Sequence, residues 1–227
     1  MRKTAATKRK RAPSKSATKG PPCLTVPVST LVKLIDVLLI SASDDPTRPH
    51  LTCIGFEPEG DGKVCGFSTD GNRLTSMVCH GSVTEPFLLS AADAKWIRSA
   101  VRLMSPTLVE IALGARSMSV DGDTLRISVT AVDEAPVPWR KVVPPLRADE
   151  KPSDNPVDGA RMFGIHPMYI ADAAKQVAIF SGRKLTRRLS MAMKVQTPPG
   201  KLDPIRIDAG SANDGTVTIV IMPVRLS

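Results

Sequence analysis

No run of apolar residues in this 227-residue chain reaches the roughly 18 to 20 needed to cross a bilayer, and the N-terminus has no apolar stretch of secretory-leader type. A spanning or secreted protein is not expected, and the chain reads as cytoplasmic. Cysteine is sparse: Cys23, Cys53, Cys65 and Cys79 show no Cys-x-x-Cys spacing, and His50, His80 and His166 do not cluster with them. Structural zinc sites draw on close ligand pairs, so no metal site is expected and the cysteines read as buried, reduced thiols. Gly60-Asp61-Gly62-Lys63 lacks the upstream glycine and the following Ser or Thr of a phosphate loop. There is no nucleophile elbow and no His-centred constellation, which argues against a hydrolase. Neither enzymatic activity nor a cofactor is expected.

Acidic residues are missing from residues 1–22, which carry Arg2, Lys3, Lys8, Arg9, Lys10, Arg11, Lys15 and Lys19. This tail accounts for +8 of the chain's net +9, so the body is nearly neutral. With Ala, Ser, Thr, Pro and Gly between its charges, the tail cannot bury a core and is expected to be disordered. It reads either as a solubilising leader or as an arm that binds phosphates without sequence preference.

The body shows a pattern that occurs twice. A strand over 24–28 leads to a helix over 29–41, capped at Ser29 or Thr30, with Leu31, Leu34, Ile35, Leu38 and Leu39 at helical spacing. A hairpin follows over 51–56 and 63–68, then strands over 73–78 and 87–89. A second helix is expected from Ser90 to Met104, with Ala94, Ile97, Ala100, Val101 and Met104 inward. Lys95, Arg98 and Arg102 form a basic stripe on another side, either a solvated face or a surface for DNA phosphates. Segments 108–112, 117–120 and 124–132 read as a three-strand meander. Residues 136–145, rich in proline around Trp139, read as a stiff joint with an aromatic anchor. Residues 146–160 read as linker. A strand over 162–165 precedes a third helix opened by Pro167, with Ile170, Ala173, Ala174, Val177 and Ala178 inward and Gly182 at its end. After it come the basic cluster Arg183, Lys184, Arg187 and Arg188 and strands over 189–195, 205–208 and 216–224. The last strand is expected at the edge of the fold.

Two strings carry the functional signal. Phe67-Ser68-Thr69-Asp70-Gly71-Asn72-Arg73-Leu74 runs from a strand end into a tight turn, where Asp caps amides and Gly accepts positive φ. Ile219-Val220-Ile221-Met222-Pro223-Val224-Arg225-Leu226-Ser227 closes the chain. Together they resemble the bacterial DNA polymerase III β sliding clamps, in which a Thr-Asp-Gly-x-Arg-Leu turn and a Met-Pro-x-Arg-Leu tail form one pocket for partner proteins. Pro138-Trp139-Arg140-Lys141-Val142-Val143-Pro144 is similar to that family's domain joint, and the resemblance covers about residues 24–144 and 160–226. It implies an α+β, DNA clamp-like fold of repeated strand-helix-strands motifs with antiparallel sheets. The implied units are a clamp-like domain over 23–144, a linker over 145–160 and a half-size clamp-like domain over 161–227.

The partner pocket then maps to Leu51, Thr69, Gly71, Arg73, Leu74, Val142, Val220, Met222, Pro223, Val224 and Arg225: an aliphatic floor, a proline wall and two arginines at the rim. Asn72 stands where the family often has His, and Val224 where it often has Met. DNA contacts are expected from Lys8, Arg9, Lys10, Arg11, Lys95, Arg98, Arg102 and Lys175. The implied partners are double-stranded DNA without sequence preference, a DNA polymerase or other proteins with a clamp-binding motif, a clamp loader and further copies of the chain, at the nucleoid. Three helix-bearing motifs stand where the family has six, so a self-associating processivity factor is one reading. A non-encircling mimic that sequesters clamp-binding proteins is the alternative.

Overall fold

The computed structural model describes residues 23–144, 165–182, 194–196, 204–211 and 215–222. The basic tail, the linker and the basic cluster at 183–188 lie outside the described residues, as does most of the strand expected at 162–165. Strand β1 (Leu24–Pro27) passes directly into helix α1 (Val28–Leu38). The expected hydroxyl cap is not used, because the helix begins one residue before Ser29 and carries no side-chain cap. Its first amide donates instead to the Thr107 carbonyl at 3.1 Å, a tertiary partner for a group that a cap would otherwise satisfy. α1 also stops at Leu38, short of Ser41, and a tight turn follows in which Ser41 and Ala42 donate to the Leu38 carbonyl.

Strands β2 (Cys53–Gly60), β3 (Lys63–Thr69) and β4 (Arg73–His80) complete the first repeat. The short β5 (Ser82–Val83) and then β6 (Phe87–Ser90) lead to α2 (Ala91–Met104). There the expected cap forms: the Ser90 hydroxyl accepts from the Asp93 amide at 3.0 Å and donates to its carboxylate at 2.9 Å, and acid in a first turn suits the helix dipole. β7 (Leu108–Leu113), β8 (Ser117–Asp121) and β9 (Thr124–Val129) follow, so strand, helix and strands do occur twice. The two repeats exchange first strands. β1 pairs with β7 of the second repeat, and β6 pairs with β2 of the first.

The last three strands of the second repeat are not a meander. β9 lies between β7 and β8 and runs parallel to β7, giving a five-stranded sheet in the order β5-β1-β7-β9-β8. Burial explains the order: β9 turns Leu125, Ile127 and Val129 into the core, whereas Met118 and Val120 of β8 are exposed, so the more apolar strand takes the inner place.

Helix α3 (Pro167–Phe180) and strands β10 (Lys194–Gln196), β11 (Ile205–Ser211) and β12 (Gly215–Ile221) form the third motif. Its strands join the first repeat in one seven-stranded sheet, β10-β11-β12-β4-β3-β2-β6. β12, expected at the edge, is therefore interior, antiparallel to both β11 and β4. Its register places Val217, Ile219 and Ile221 in the core under the helices and Val220 in a second cluster on the opposite face.

α3 packs on α1, with Ala173, Val177, Ala178 and Phe180 buried. Ile170, expected inward, is 51% exposed. The buried face is rotated by a polar anchor: Gln176 Nε2 lies 3.0 Å from the Val37 carbonyl and 2.8 Å from both the Ser41 and Thr75 hydroxyls. These hydroxyls are 2.7 Å from each other. Gln176→Ala leaves the carbonyl and hydroxyls without that partner inside the core, and should cost about 1–3 kcal/mol of stability, read as a lowered midpoint in urea unfolding.

Candidate partner-docking site

The turn between β3 and β4 is held by its own side chains. Thr69 Oγ1 donates to the Arg73 carbonyl at 2.7 Å and accepts from the Gly71 amide at 3.1 Å. Asp70 Oδ1 accepts from the amides of Asn72 and Arg73, each at 2.9 Å. Gly71 has φ 93°, a left-handed conformation that disfavours any other residue there. Leu51, on the 3-10 turn Pro49–Leu51, lies beside it: a Cβ on Gly71 would stand 3.9 Å from Leu51 Cδ1 and 3.8 Å from Arg48 Nη1.

The end of β12 arrives at the same turn. Val220 is opposite Leu74, Ile221 is opposite Arg73, and the Met222 amide donates to the Asn72 carbonyl at 2.9 Å. Leu74 and Val220 are buried with Cys65, Phe67 and Trp139, while Met222, 39% exposed, and Val142 remain open to solvent. Seven of the pocket positions, Leu51, Thr69, Gly71, Arg73, Leu74, Val220 and Met222, thus meet at one turn and strand end, with Val142 on the adjoining strap. Pro223, Val224 and Arg225 lie outside the described residues.

That strap is the expected aromatic joint, laid across the outer face of the seven-stranded sheet. Trp139 stacks on Phe67 with centroids 5.4 Å apart, and Gly55 makes room below, since a Cβ there would come within 2.1 Å of the Phe67 ring. Arg140 lies over the Trp139 ring at 4.5 Å and ion-pairs with Glu57 and Glu59 of β2. At the other end Arg206 of β11 donates to the Pro144 carbonyl at 2.6 Å. Glu57, Glu59 and Cys65 bring ligand atoms within 4.8 Å of one another, but Arg140 occupies both carboxylates. Burial pushes the Cys65 thiol up, and the Cys79 thiol up to about 12. The cluster anchors the strap, since one guanidinium is shared by both β2 carboxylates.

Arg73 was expected at an open rim. It is instead 14% exposed, held by Asp70 at 3.0 Å and in close contact with Asp172 of α3, with its guanidinium 5.1 Å above the Tyr169 ring. Tyr169 in turn lies 5.3 Å from the His166 ring. The i, i+3 spacing of Tyr169 and Asp172 marks one helix face in the sequence, but nothing local names an arginine so far away in the chain as its partner.

On the helices, Lys95 and Lys175 are exposed. Arg98 and Arg102 both reach Asp36 of α1, Arg98 in close contact and Arg102 at 3.8 Å. Lys8, Arg9, Lys10 and Arg11 lie outside the described residues.

No family model and no curated protein matches the sequence. Solved structures do. The β subunit of DNA polymerase III from Thermotoga maritima superposes with TM-score 0.58 at 14% identity, over 96% of this chain and 69% of that one. The β chain from Streptococcus pneumoniae gives TM-score 0.57 at 12% identity, over 98% and 69%. The DNA polymerase sliding clamp from Pseudomonas aeruginosa, solved with a ligand, gives 0.52 at 16%, over 94% and 69%. This chain has the sliding-clamp fold. Within that clamp fold, Arg73 ties the Thr69–Leu74 turn to α3. Arg73→Ala should release Asp172 and Tyr169 and cost about 1–3 kcal/mol, less than a fully buried pair because these groups retain some solvent. Hydrogen exchange should then speed up in α3 while α2 keeps its protection.

Proposed function

We propose that the chain is a sliding-clamp-like processivity factor: a non-enzymatic protein that holds DNA without sequence preference and docks replication or repair proteins at the Thr69–Leu74 turn. The observation that carries this reading is the bond from the Met222 amide to the Asn72 carbonyl, which sets Met222 of the second string against the turn of the first within a clamp fold. Met222 and Val142 offer aliphatic surface around a rigid turn backed by the buried Leu51, a suitable seat for a short peptide with Leu or Phe anchors. Among the described residues no helix is long and apolar enough to cross a membrane. DNA enters through charge, the tail at 1–22 supplying encounter and the exposed lysines of α2 and α3 a broad, weak contact. Self-association belongs to the same reading: among the described residues β10 ends the seven-stranded sheet, and such an edge can pair with another chain.

Calorimetry with a peptide bearing a clamp-binding motif tests the docking site. Met222→Ala should weaken binding by roughly 1–3 kcal/mol, as at a buried hot spot. Unchanged affinity in both that variant and a truncation before Met222 would falsify the pocket. Separately, the full chain should show a log-log salt slope on duplex DNA of up to about −7, flattened on removal of residues 1–22. Peptide binding without any DNA binding is the result that replaces this reading with the mimic. Light scattering at micromolar concentration reports on self-association, and a strict monomer removes it.

A further inference from the structure

The three helices form one layer, with α1 packed against both α2 and α3. Arg98 and Arg102 are one turn apart on α2, and a single acid on the neighbouring helix, Asp36, reaches both. One carboxylate oxygen contacts Arg98 closely and the other lies 3.8 Å from Arg102. Asp36 is only 19% exposed, so its attraction to Arg98 is less screened than that of a surface pair. Arg102, 57% exposed and at the outer limit of an ion pair, is the freer of the two arginines.

We propose that Asp36 is a brake on DNA affinity, competing with backbone phosphates for Arg98 and Arg102 so that the helix layer grips a duplex loosely. This rests on the DNA-binding reading above and specifies how that surface is regulated. A phosphate that takes Arg98 leaves Asp36 in a largely dry position with only Arg102 for a partner, and it must itself approach a like charge. Both costs disappear when the carboxylate is neutral. The Arg98 side chain is 34% exposed, so the solvent-facing part of its guanidinium is available to an anion once Asp36 no longer claims it. A weak contact suits a surface that tracks along DNA, because each arginine engaged by a phosphate adds to the salt-dependent grip.

The test uses the full chain and a labelled duplex of random sequence, titrated by fluorescence anisotropy over a range of salt. The N-terminal tail is common to every variant, so differences report on the helices. Asp36→Asn should bind roughly 3- to 10-fold tighter at fixed salt, with a log-log slope steeper by about one unit. Asp36→Ser, a smaller neutral residue, should behave alike, and thermal melting checks that each variant is folded. Arg98→Gln combined with Asp36→Asn should abolish the gain. Equal affinity and slope in the wild type and both neutral variants overturn the brake, as does an Arg98→Gln loss of equal size with and without Asp36. Failure of the wild type to bind duplex DNA even at low salt is a different result: it removes the DNA reading itself and the brake with it.

Discussion

The pairing of β12 with β4 is the constraint on which the rest of the structure depends. It joins residues 216–221 to residues 73–78, bringing the third motif onto the first across most of the chain. Closing so long a loop costs entropy that grows only slowly with length, and it is offset by a full antiparallel ladder with apolar burial on both faces. Val217, Ile219 and Ile221 enter the core beneath the helices, and Val220 meets Leu74 on the other side. Because side chains alternate along a strand, a slip of one residue would turn Ile219 and Ile221 out of that core. The same register aligns the Met222 amide with the Asn72 carbonyl. Core packing and the geometry of the Thr69–Leu74 turn are therefore one decision.

Two polar devices fix how α3 rests on this joint. Gln176 gathers Val37, Ser41 and Thr75 inside the core, and Asp172 with Tyr169 takes Arg73 at the rim. Apolar contacts between α1 and α3 would tolerate sliding, whereas a buried amide with named partners does not, since a displaced helix would leave polar groups unpaired. On the outer face the strap plays a similar part, fastened to β2 through Arg140 and to β11 through Arg206. The sheet is held from both sides where its two halves meet.

Charge follows the same logic. The chain carries 31 lysines and arginines, but much of that charge in the described residues is already engaged: Arg73 by two aspartates, Arg98 and Arg102 by Asp36, Arg116 by Asp93 and the Trp96 ring, Arg126 by Glu110 and Asp121, Arg140 by Glu57 and Glu59. The arginines mostly build the fold, since the planar guanidinium can meet two carboxylates or a carboxylate and a ring at once. Lys95 and Lys175 stay exposed on the helices. A stripe that looks basic in one helix is therefore a weaker anion surface once its neighbour is in place.

Local physics was enough to read much of this protein from its sequence. The helical spacing expected over 29–41 and 90–104, the Ser90 cap, Pro167 at the start of α3 and the Asp-Gly chemistry of the 69–74 turn all depend on residues within a few positions of one another. The two strings at 67–74 and 219–227 also pointed to a clamp fold. Only the tertiary structure decided which strands are neighbours: β9 inserted between β7 and β8, β12 moved from the edge to the interior, and α3 turned to bury Gln176 and expose Ile170. Those outcomes depend on which surfaces compete for the same core. The fate of each charge was equally hidden, because Arg73 is claimed by Asp172, 99 residues away, and Arg98 by Asp36 on another helix. A sequence fixes what a side chain can do within its own turn of helix or strand, and packing between distant segments decides which partner it meets.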